Sequence, residues 1–147
     1  MKLLKIILLV FTFALTSCTS ITLTPANFAW PIESVVTTDE MGNVSIERYS
    51  TEFNSSEIFK NEFGDSVEVA NRELRVIRDH LGYYLMTAKG FMNVYVFESK
   101  DGAFNQINKI FIAKEGLQNP ALNQRTPNVE LLDGEKKYIL NSKGTVR

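Results

Sequence analysis

Between residue 32 and the C-terminus, apolar positions recur mainly at a spacing of two, the period of a half-buried strand. Val44 and Ile46 alternate with Ser45 and Glu47. This predicts a hairpin of Ile32–Thr38 and Val44–Phe53 across a turn from Asp39 to Asn43 that contains Gly42. Asn54 followed by Glu57 has the form of a helix cap, and Ile58, Phe59, Glu62 and Phe63 before Gly64 predict one short helix. From Ser66 to Leu81 two patterns compete. Ala70, Leu74, Ile77 and Leu81 share a helical face, whereas Val67 with Val69 and Leu74 with Val76 fit two short strands. The β-branched residues and the turn at Gly82 favour strands.

Strands are then expected at Tyr83–Ala88, Phe91–Ser99 and Phe104–Ala113, separated by turns at Lys89–Gly90 and Lys100–Gly102. In Phe91–Phe97 both alternating faces are apolar, which requires cover on both sides and makes this a central strand. The amide-rich stretch Gly116–Asn128 reads as a long loop, and Val129–Leu132 pairs with Lys136–Leu140 across Asp133 and Gly134. The tail turns at Gly144. The expected fold is mainly β, an antiparallel meander forming a sandwich or barrel with one short helix, as a single domain over residues 32–147. Glu73–Ile112 resembles one β-propeller blade, but a propeller needs at least four blades of about 40 residues.

The first residues follow a different pattern. Lys2 and Lys5 precede an apolar run from Ile6 to Leu15, broken only by Thr12, and no acidic residue occurs before Glu33. A positive start, a short apolar segment and small residues beyond it make an export signal. The run is about half of the roughly 20 residues that a spanning helix requires. Leu15-Thr16-Ser17-Cys18 resembles the lipobox of bacterial lipoproteins. That resemblance implies a diacylglyceryl group on the Cys18 thiol and cleavage just before it. Residues 1–17 are then the signal, and residues 18–31 are the lipidated cysteine and a short tether. Thr19, in place of an aspartate, resembles the outer-membrane sorting pattern of Gram-negative lipoproteins. The expected location is the cell envelope, on the outer membrane facing the periplasm, with the membrane itself as one partner.

Composition narrows the chemistry. The chain has 16 Lys plus Arg against 17 Asp plus Glu. Loss of Lys2 and Lys5 makes this 14 against 17, a mildly acidic balance with no electrostatic pull towards nucleic acid. Cys18 is the only cysteine, so no intramolecular disulfide is available and stability must come from packing. With Cys18 committed to lipid, a thiol nucleophile is excluded. A serine mechanism lacks the Gly-x-Ser-x-Gly elbow, and its base would have to be the lone His80, which reads as an exposed turn residue. One histidine without a free cysteine does not make a usual zinc set, and no cofactor motif is present. Glu57, Glu62, Asp65, Asp79 and Glu98 would have to supply the two carboxylates of a glycosidase, but spacing pairs none of them.

Binding chemistry is better represented. Trp30, Tyr83, Tyr84, Phe91, Tyr95 and Phe104 read mostly as core, with Trp30 and Tyr83 as candidate contacts. Asn123 and Arg125, within Asn119–Arg125, offer adaptable hydrogen bonds to an envelope protein. The expected role is a non-catalytic, lipid-anchored module that binds a partner or serves structurally. Phe28-Ala29-Trp30 resembles, without its glycine, the Gly-x-Trp of lipocalins, which implies the alternative of a carrier for an apolar ligand.

Overall fold

The two-faced apolar run from Phe91 organises the molecule. In the computed structural model, which describes residues 33–146, β6 (Asn93–Lys100) lies between β5 (Tyr84–Thr87) and β7 (Ala103–Phe111). Beyond β5 come β4 (Glu73–Arg78) and then β1 (Ser34–Thr37), completing a five-stranded antiparallel sheet. Successive residues of β6 feed two separate cores: Val94 and Val96 enter one, Tyr95 and Phe97 the other. Adjacent strands follow the same parity, with Leu85 on the first side and Tyr84 and Met86 on the second.

Each face has its own cover. A four-stranded sheet in the order β11 (Gly144–Thr145), β10 (Lys136–Asn141), β9 (Asn128–Asp133), β8 (Pro120–Arg125) lays Leu122, Val129, Leu131 and Leu140 against the first face. The other face receives a two-stranded hairpin, β2 (Asn43–Ile46) and β3 (Thr51–Asn54), followed by α1 (Ser56–Phe63). Val44, Ile46, Ile58 and Phe59 from this layer are buried on the sheet. The result is a sandwich with an added outer layer; its sheets do not close into a barrel.

An eight-residue helix is too short to hold itself in water. α1 persists because Phe59 packs edge-on against Phe91 at 5.2 Å between ring centres, and because both ends are closed. Asn54 Oδ1 accepts the Ser56 N–H at 3.0 Å, although the residue in the cap position is Ser55. Gly64, at φ 91°, ends the helix and donates its N–H to the Lys60 carbonyl.

Three sequence expectations change. First, β1 does not pair with β2. The stretch Val44–Phe53 is broken at Glu47–Tyr49 by a 3-10 turn that ends on Ser50 in the left-handed region (φ 47°), so it folds back on itself and β2 pairs β3. The Asp39 carboxylate accepts the Met41 and Asn43 N–H groups, each at 2.8 Å, which closes the preceding loop and frees β1 to pair with β4. Ile32, the expected start of that strand, lies outside the described residues. Second, Ser66–Leu81 holds one strand, β4, not two. The backbone around Val69 and Arg72 bonds to Thr38 instead of to a strand partner. The helical alternative fails because Leu74 and Ile77 enter opposite cores. Third, Gly116–Asn128 is not a long loop, since it contains β8. Pro120 stands at the first position of that edge strand, where a missing N–H is tolerated.

Candidate partner-binding groove

An open groove of about 640 Å³ lies between β3, α1 and the end of the β6–β7 hairpin. All of β3 contributes, together with Glu57, Ile58 and Asn61 from α1 and Ser99, Ala103, Phe104 and Gln106 from the hairpin. Phe53, Phe97 and Phe104 form the aromatic floor; Phe104 meets Phe53 edge-on at 5.0 Å and Phe97 at 6.3 Å. A bulge shapes the hairpin wall: Val96 pairs with Asn108 but Phe97 with Gln106, so Ile107 is the extra residue. Such an insertion bends and twists the strand.

A carboxylate fixes the helix wall. Glu62 accepts hydrogen bonds from the Met92 N–H at 2.6 Å, Asn93 Nδ2 at 2.7 Å and the Tyr95 hydroxyl at 2.7 Å. α1 is thereby bound to β6 at its last turn. Burial pushes the Tyr95 phenol far above its ordinary range, and the adjacent Glu62 carboxylate adds to the rise by accepting the phenol's hydrogen bond and repelling the phenolate. A second clamp joins the sheets. Glu33 pairs with Arg75 of β4 through one oxygen and accepts the Leu122 N–H of β8 at 2.8 Å through the other.

The residues expected from sequence do not assemble here. Cys18 and Trp30 lie outside the described residues. Tyr83 is half-buried, packed against the core between the two sheets, with its N–H donated to the Asp79 carboxylate. Asn123 and Arg125 come together, exposed, on β8 and not on a loop. None of the described three lines the groove. Tyr84, Phe91 and Tyr95 are core, as their strand context implies, and His80 is exposed on the Asp79–Gly82 turn. Of the acids weighed for a two-carboxylate mechanism, Glu57 alone lines the groove, joined there by Glu52. Sequence reasoning missed Glu52, Phe53 and Asn61. Glu52 and Phe53 read as the end of one long strand, and only the turn at Glu47–Tyr49 makes β3 a separate edge.

Arg125 has a partner in its own sheet, Glu130 of β9, at 3.1 Å. Lys137 of β10 also pairs with Glu130. The Lys137 hydrogen bond, followed by attraction to both cations, holds the Glu130 carboxyl below its usual range. A depressed carboxyl stabilises the fold above its unfolded pKa of about 4.3, and that contribution is lost as pH falls through the lower folded value. Both cations are largely exposed, so about half a kcal/mol is expected. Urea unfolding of Glu130→Gln between pH 6 and pH 3 should show this part of the acid dependence removed; an unchanged slope would contradict the pairing. Comparison of the chain with protein families, with curated proteins and with solved structures gives no match.

Proposed function

We propose that the chain is a lipoprotein of a bacterial cell envelope, held to the membrane by acyl chains on Cys18, whose β domain binds an envelope protein and is not a catalyst. The observation that carries this reading is Leu15-Thr16-Ser17-Cys18 at the end of the apolar run, with lysines before it. A single acyl chain binds a bilayer reversibly, whereas two or three hold a protein there. The tether reaches some 40 Å at about 3.3 Å per residue, so the partner has to lie close to the membrane surface. Thr19 supports the outer membrane, periplasmic side. An open groove with a polar rim fits a binding module better than a carrier, which needs an enclosed apolar cavity.

The test is growth of producing cells on an alkynyl palmitate, followed by fluorescent tagging and membrane fractionation. The expected result is a labelled chain in the outer-membrane fraction; an unlabelled chain in the soluble fraction would overturn the reading. A native mass spectrum of the purified protein should show no retained apolar ligand beyond its own acyl chains. A stoichiometric ligand would favour the carrier.

A further inference from the structure

Resting on that partner-binding reading, we infer that the groove takes an extended segment of a protein partner, added as a strand to the free edge of β3, with basic residues flanking an apolar one. The backbone supplies the first reason. The Ser55 N–H bonds the Gly42 carbonyl at 2.8 Å, which sets the hydrogen-bonded pairs of the hairpin at Gly42–Ser55, Val44–Phe53 and Ile46–Thr51. Glu52 and Asn54 lie between them, so their N–H and C=O groups point away from β2. Among the described residues β3 has no neighbour on that side, and both residues line the groove. An unpaired edge of this kind is a template for strand addition.

Side chains supply the second reason. An added strand places each residue directly opposite one of β3 and on the same face. Opposite Phe53, whose ring is half-buried on the aromatic floor, the occupant meets an apolar surface. Opposite Glu52 it meets an exposed carboxylate, with Glu57 of α1 also at the groove. These two are the charged side chains of the lining, and neither forms an ion pair among the described residues. The favoured occupant thus alternates basic and apolar residues. Four residues of β3 span roughly 13 Å at about 3.3 Å each, so a segment of four to six residues fills the edge.

The experiment uses the full lipidated chain in its own cells, with a photoreactive benzoyl-phenylalanine as the probe, placed at Asn61 in the groove or at Asn123 on the second sheet. Irradiation followed by mass spectrometry of the crosslinked peptide identifies what sits at each place. The expected result at Asn61 is a protein segment alternating Lys or Arg with apolar residues. Its yield should fall about tenfold when Glu52→Lys and Glu57→Lys are combined, because like charges then face each other. Arg125→Ala should leave it unchanged. Circular dichroism of the double variant shows whether the fold is intact; if it is not, Glu52→Gln with Glu57→Gln serves, with a smaller loss expected. Crosslinks at Asn61 to lipid, glycan or an acidic segment, or a yield indifferent to both sets of substitutions, would overturn the inference. Crosslinking to a protein from Asn123 alone would overturn the groove while leaving the partner-binding reading standing. No protein crosslink at either place would overturn both.

Discussion

Replacing Cys18 by alanine is expected to abolish acylation outright and to leave the chain as a precursor that still carries residues 1–17. The resemblance to the lipobox makes the thiol the acceptor and makes cleavage depend on it, so one substitution removes both events. Residual membrane association through the apolar signal is a separate effect. It is removed by exchanging residues 1–18 for an ordinary cleavable export signal. That chain has neither lipid nor apolar run, and its soluble fraction should rise about a hundredfold over the native form, given about 0.8 kcal/mol of membrane binding per acyl methylene. Palmitate labelling and fractionation read both effects. Full labelling of Cys18→Ala would place the lipid elsewhere and remove the basis of the proposed anchor.

The second large effect is on stability. Glu62→Ala removes the acceptor for the Met92 N–H, the Asn93 amide and the Tyr95 hydroxyl, and the last two belong to residues that are 6 % and 0 % exposed. A buried donor left without a partner costs about 1–3 kcal/mol, so the loss should be about 3 kcal/mol, or roughly 10 °C in Tm for a domain of this size. Glu62→Gln keeps one acceptor oxygen but turns an NH2 group towards donors, and should lose about half as much. Urea titration checks the order. The same site predicts an alkaline limit. The folded Tyr95 phenol holds its proton above the ordinary value near 10, so the stability it contributes is complete below that pH and is lost above it, as the unfolded chain ionises. The slope is about 1.4 kcal/mol per pH unit, and Tyr95→Phe should remove it. Equal slopes in the two proteins would contradict the account. Because α1 carries Glu57, Ile58 and Asn61 to the groove, Glu62→Ala should also weaken the Asn61 crosslink.

What was legible in the sequence was the part set by short-range periodicity. The double apolar alternation of Phe91–Phe97 identifies β6 as central, and β5, β7, β9 and β10 follow from turns at Gly82, Gly90, Gly102 and Gly134. Helix α1 was legible from its cap and its closing glycine. Neighbouring partners were legible too, as in the β9–β10 hairpin, but distant ones were not. β1 pairs with β4, some 40 residues away, and nothing local in Ser34–Thr37 distinguishes that neighbour from β2. β8 was hidden because Asn119, Pro120, Asn123 and Gln124 read as loop chemistry. Yet Leu122 and Gln124 point inward and Asn123 and Arg125 outward, with Gln124 a buried amide in an apolar register. The groove was illegible for the same reason as the partners. Glu52, Glu57 and Phe104 are separated along the chain and meet only because the β2–β3 hairpin folds over the sheet. Tyr83 and Arg125 stand out in the sequence by residue type alone, and the fold commits Tyr83 to packing and Arg125 to Glu130.

The proposed anchor is tested most directly by the mass of the N-terminal peptide of the protein purified from its own membrane. The mature chain is expected to begin at Cys18, with a diacylglyceryl thioether on this residue and an acyl group on its amine. An intact Met1, or an N-terminus beyond a free Cys18 thiol, would contradict it.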